Sequence, residues 1–175
     1  MKRLGKMLAT AVFAAAGLFA TNTLMAQDAP PGGSFKNAYL SRNKSGKVVL
    51  TYTLWDQQVT KGRYTLCFFW ASWSDEAREQ VPYILEIAKK YAGKVKVLGV
   101  TYGDEIQDSM DAIPEWGMTF PHFVFVEDAA PDSRFDIDSI PLTILFGPDG
   151  GIVARDLKGD EIEEAVETAL KGVSR

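Results

Sequence analysis

The chain has 175 residues, enough for one compact domain and too few for a second independent core. It is 46% apolar and carries 19 basic against 23 acidic residues, a net −4. Without a clustered basic stripe this balance excludes a nucleic-acid binder, because phosphate recognition needs grouped Lys and Arg. The single cysteine, Cys67, excludes an intramolecular disulfide.

Lys2, Arg3 and Lys6 precede an apolar run from Met7 to Ala20, and a small residue stands at Ala26. A basic start, a short apolar core and a small residue describe a secretory signal peptide over residues 1–26. The core is shorter than the ~20 apolar residues a spanning helix needs. Including Thr21 to Met25 lengthens it enough, so an uncleaved membrane anchor is the alternative, and only then is the membrane a partner. Removal of residues 1–26 leaves sixteen basic and 23 acidic groups, a net −7. A soluble domain outside the cytoplasm is expected, most simply in a periplasm. Residues 27–34, with "DAPPGGS", read as a Pro/Gly linker, and 35–175 as the folded domain.

Two strands are expected near Ala38–Leu40 and Val48–Tyr52, turning at "NKSGK". "RYTLCFFWA" is a continuous apolar run, as in a strand buried on both faces of a sheet. "DEAREQVPYILEIAKKYAG" reads as a helix with Val81, Ile84, Leu85, Ala88 and Tyr91 on one face, Pro82 kinking it and Gly93 ending it. A strand over "KVKVLGVTY" and a short helix broken near Pro114 follow. The segment "MTFPHFVFVEDAAPDSRFDID" gives no clear period. "LTILF" and "GIVARD" form a hairpin around "GPDGG". The last helix, about Asp160–Lys171, turns Ile162, Ala165, Val166, Ala169 and Leu170 inward, and its terminal charges suit the helix dipole. Alternating strands and helices closed by a hairpin and a helix indicate an α/β sandwich: a central mixed sheet flanked by helices, with an N-terminal strand extension.

Two stretches carry a resemblance. "FWASW", followed by a helix with "REQVP", is similar to the active-site strand–turn–helix of the thioredoxin-like superfamily, specifically its exported TlpA-like disulfide reductases. "DIDSIPLTILFGPDGGIVARDLKGDEIEEAV" resembles that family's second half, with Pro141 where the family has its cis-proline. The resemblance spans about Phe35 to Val173 and implies a protein disulfide reductase with a W-x-x-x-C-x-x-C turn. Here the two thiol positions hold Ser74 and Ala77, giving "SDEA". A serine hydroxyl is far less acidic than a thiol and needs an adjacent base, and alanine resolves nothing. Asp75 and Glu76 place negative charge where the family stabilises a thiolate. Gln80 stands at the position of a proton-managing glutamate (a slip of one residue would place Glu79 there instead). Ser74 instead reads as a helix N-cap, with Asp75 and Glu76 complementing the helix dipole.

Other chemistry is thinly supported. Cys67, in "TLCFF", reads as a small buried core residue with an inert thiol. His122 is the lone histidine; it is a candidate base for Ser74, but packing or a surface position is the stronger reading. One His and one Cys make no zinc site, and Glu127, Asp128, Asp132, Asp136 and Asp138 lack EF-hand spacing. No metal or cofactor is expected. Trp70 reads as core. Trp73 is either an exposed binding anchor or packs on Phe69 or Pro141.

The sequence therefore points to a thioredoxin-like domain without a redox cysteine pair. It is expected to bind a protein or extended peptide across Trp73, Ser74, Ile140 and Pro141. In the resembling enzymes the residue before the cis-proline pairs its backbone with a substrate strand, which needs no thiol. A single-thiol TlpA-like oxidoreductase acting through Cys67, and a purely structural domain, are the alternatives.

Overall fold

A computed structural model describes residues 36–59, 62–124 and 135–172. The signal-like segment, the linker and the acids Glu127, Asp128 and Asp132 lie outside the described residues. The elements are β1 (Lys36–Arg42), β2 (Val48–Leu54), α1 (Trp55–Gln58), β3 (Tyr64–Trp70), α2 (Asp75–Lys90) and β4 (Val95–Thr101). There follow α3 (Ile106–Glu115), β5 (His122–Val124), β6 (Leu142–Phe146), β7 (Ile152–Ala154) and α4 (Glu161–Gly172). Among the described residues no helix is long and apolar enough to cross a membrane.

The strands form one seven-stranded mixed sheet in the order β2-β1-β5-β4-β3-β6-β7. β3 lies inside it, parallel to β4 and antiparallel to β6. Alternation along β3 sends Leu66, Phe68 and Trp70 to one face and Cys67 and Phe69 to the other. Helices cover the first face. Ala77, Val81, Ile84 and Ile87 of α2, with Ile162 and Val166 of α4, pack against it. On the second face Trp55 packs among Phe123, Phe135 and Phe146, with ring centroids 5.1–6.1 Å apart. Both faces of β3 are thus dry, which is why its sequence shows no polar alternation.

The hairpin β1–β2 pairs as the turn residues imply, Lys36 opposite Leu54 through Arg42 opposite Val48. β1 is sewn to the rest by β5 and by the Arg42 guanidinium, which donates to the Met118 carbonyl at 3.1 Å. α2 continues through Pro82 to Lys90, and the ring is exposed, where water can reach the Arg78 carbonyl that loses its partner. Gly93 takes φ +82, a left-handed turn that a side chain would strain. The far end of the sandwich is tied by Tyr91, whose hydroxyl shares its one proton between the Glu163 and Glu167 carboxylates, 2.9 and 3.1 Å away.

The stretch without a readable period contains β5, three residues long and buried throughout. It is inserted between β1 and β4, antiparallel to the first and parallel to the second.

Candidate functional site

The site is built at the end of β3. Phe69 pairs with Leu142 of β6, so Trp70 and Pro141 come next at the same end of the sheet. The loop Ala71–Ser74 leaves β3 there and enters α2, while Ile140 and Pro141 lead into β6. Topology therefore brings the two separated motifs to one place. The Ile140–Pro141 peptide bond is cis.

Ser74 is buried and caps α2. Its Oγ accepts the Ala77 N–H at 3.1 Å and lies 3.4 Å from a Glu76 carboxylate oxygen, to which the hydroxyl donates. One orphan amide of the helix start is thereby satisfied, and Asp75 and Glu76 sit in the first turn beside the positive end of the dipole. Ala77 is fully enclosed in the core beneath. The side chains of the turn serve the helix start.

Trp73 is 65% exposed, which decides between the two readings of the sequence in favour of a solvent-facing indole. Its Nε1–H donates to the Gly103 carbonyl at 2.9 Å, so the ring is held in place. Behind it lies an arrangement that spacing along the chain does not announce. The Asp104 carboxylate accepts from Ser72 N–H and Ser72 Oγ–H, both at 2.8 Å, and from Ser109 Oγ–H at 2.9 Å. One side chain thus ties the loop after β3 to the start of α3. Asp104→Ala is expected to lower stability by about 2 kcal/mol, since hydrogen bonds to a charged group contribute ~1.5–3 kcal/mol and the two serines lose their acceptor. Urea unfolding of the variant checks this; an unchanged midpoint would show the loop to be held by other contacts.

Gln80 has a structural partner as well. Its Oε1 accepts the Gly159 N–H at 2.9 Å, fastening α2 to the loop before α4. Beside Pro141 opens a cleft of about 550 Å³ lined in part by Asp136, Asp138, Ser139, Arg155 and Lys158. Within it Arg155 is engaged by the Asp156 carboxylate at 3.1 Å and by the Asp136 carbonyl at 3.0 Å.

Cys67 lies on the opposite face of β3 from Trp70, fully buried. Burial pushes its thiol well above the usual range, and the charge of Lys96, which acts the other way, does not compensate. Lys96 is itself held down to about 8 by burial.

His122 is not available to Ser74. It is buried on β5, where Nδ1 accepts the Trp70 Nε1–H at 3.1 Å. Its ring lies tilted 4.9 Å from Phe120 and meets the Trp70 ring edge-on at 5.3 Å, and burial lowers its pKa to about 3. A neutral histidine bonded this way carries its proton on Nε2, which has no hydrogen-bond partner among the described residues. The expectation of packing over catalysis holds for it.

A mixed sheet with a capped helix start facing a proline-led strand defines a thioredoxin-type scaffold. A thioredoxin-like family model matches residues 62–152, and the chain belongs to that family. It is 26% identical over 98 residues to the thioredoxin-like protein YneN of Bacillus subtilis, covering 54% of this chain and 56% of the relative. It is 23% identical over 94 residues to the thiol-disulfide oxidoreductase ResA of the same organism, covering 53% and 52% of the two chains. The matches thus span about half the length of these curated relatives. Among solved structures, the thioredoxin domain of a thiol-disulfide oxidoreductase from Bacteroides vulgatus superposes with a TM-score of 0.62 at 24% identity, covering 78% of this chain and 93% of that one.

Proposed function

We propose that the chain is an exported thioredoxin-like domain without thiol–disulfide turnover. In this reading it receives an extended peptide or protein segment across Trp73, Ser74, Ile140 and Pro141. The support that weighs most is the pair of positions at the start of α2, Ser74 and Ala77. A dithiol exchange needs two sulfurs there, and both side chains instead cap and fill the helix start. Relatives named thiol-disulfide oxidoreductase share the scaffold. A docking surface needs only backbone groups and an apolar anchor: Trp73 offers the exposed anchor and Ile140 the backbone, while Ser74 lies buried beneath with both its backbone groups bonded to Ala71 and Arg78. Export rests on the signal-like residues 1–26.

Two measurements test the reading. The purified protein is expected not to accelerate insulin reduction by dithiothreitol above a non-redox control. Cys67 is expected to react with a thiol reagent only after unfolding, because a buried thiol in apolar surroundings is both inaccessible and protonated. Clear turnover abolished by Cys67→Ala, together with rapid labelling of the native protein, would transfer support to a single-thiol oxidoreductase.

A further inference from the structure

We infer that the segment docking at this site carries a cationic side chain, arginine before lysine, that stacks on Trp73. The inference rests on the peptide-binding reading above and adds the chemistry of the partner.

The anchor is the indole itself. It is exposed, and its hydrogen bond to the Gly103 carbonyl holds the ring in one orientation, so little side-chain freedom is lost on docking. The face of an exposed indole attracts a cation, and a planar guanidinium covers more of it than a compact ammonium.

The exposed charges that flank the indole along the chain are acidic, while the cleft beside Pro141 carries Arg155 and Lys158 as well as acids. Asp75 and Glu76 follow Ser74 directly, on the one side of the indole in sequence. On the other, Glu105 stands two residues beyond the carbonyl that holds the ring, at the start of α3. All three carboxylates are exposed. The Asp104 carboxylate behind the loop is occupied by Ser72 and Ser109.

The cation on the adjoining turn of α2 does not offset them. The Arg78 guanidinium pairs with Glu115 at 3.4 Å and lies 5.9 Å from the centroid of the Trp116 ring, directed at α3 rather than at Trp73. An acidic segment therefore meets repulsion at three exposed positions, a neutral segment gains contact area alone, and a basic segment gains both the ring and the carboxylates.

The test uses the purified chain and three short peptides of one Ser/Thr/Val sequence, with a central pair of arginines, glutamines or glutamates, followed by calorimetry at low and high salt. The arginine peptide is expected to bind about five- to tenfold tighter than the glutamine peptide, with the advantage reduced at high salt. Trp73→Ala is expected to remove most of that difference, and the combination Asp75→Asn, Glu76→Gln, Glu105→Gln to narrow it. Equal binding of all three peptides, weakened equally by Trp73→Ala, would keep the docking site and overturn the cationic partner. Tighter binding of the glutamate peptide would overturn it too. Absence of binding by every peptide would overturn the docking site, and this inference with it.

Discussion

Lowering the pH from about 7 to about 4 is expected to destabilise the protein by roughly 3 kcal/mol through His122 alone. The imidazole is buried against Phe120 and Trp70, with its Nδ1 committed to the Trp70 indole, and burial lowers its pKa from 6.5 to about 3. The folded state therefore holds a neutral ring where the unfolded chain binds a proton. The positive charge of Arg42 adds to the shift. For a histidine depressed in this way the stabilising contribution is complete above the unfolded value of 6.5. It is lost as the pH falls from there toward 3, because only the unfolded state takes up the proton in that window. The slope approaches 1.4 kcal/mol per pH unit, the free energy of one proton. Carboxylates also titrate in this range, so the comparison is between the wild type and His122→Gln, which cannot titrate. Urea unfolding at several pH values is expected to show the wild type losing about 3 kcal/mol more than the variant between neutral and acid conditions. Parallel profiles would mean that the ring is already hydrated or charged in the folded protein.

Gly99→Ala is expected to cost about 3 kcal/mol, at the upper end of what overpacking a core costs. Gly99 pairs with His122 across the parallel ladder of β4 and β5. A β-carbon added at Gly99 would meet His122 Nδ1 at 1.9 Å and Cε1 at 2.5 Å. Neither a strand backbone nor an enclosed ring can yield that much without moving the Trp70 bond. The glycine is thus the space into which the histidine fits, and its need arises from close approach rather than from an unusual backbone angle. The double variant Gly99→Ala, His122→Ala relieves the clash. Its total cost is expected to fall well short of the sum of the two single costs, as for residues in contact. Additive costs in chemical unfolding would show that the ring can move aside.

These two expectations concern residues that the sequence presents quite differently. His122 is visible as the lone histidine, and packing is its favoured reading, but neither its Trp70 partner nor its dependence on Gly99 follows from "TFPHF". The partner stands fifty-two positions away along the chain. Gly99 sits inside the run "KVKVLGVTY", where nothing local marks it as the one residue able to face an imidazole.

The same division runs through the site. Ser74 as a helix cap, Asp75 and Glu76 in the first turn and the apolar face of α2 are consequences of neighbouring residues, since capping and helical period act within a few positions. The absence of sulfur at Ser74 and Ala77 is read directly from the letters. The turn-marked hairpins β1–β2 and β6–β7 were equally legible, because their partners are adjacent in the chain. β5 was not: three buried residues have no period to read, and their place between β1 and β4 is decided by the two ladders that receive them. The exposure of Trp73 depends on the Gly103 carbonyl that takes its indole, thirty positions on. Asp104, which holds the loop beneath, looks like any loop acid until β3 and β4 are laid side by side. Short-range geometry thus made legible the elements other than α1 and β5, the cap and the missing thiols. The tertiary structure alone decided which distant polar groups meet, because hydrogen-bond partners across a sheet are set by strand order and register, and spacing along the chain carries neither.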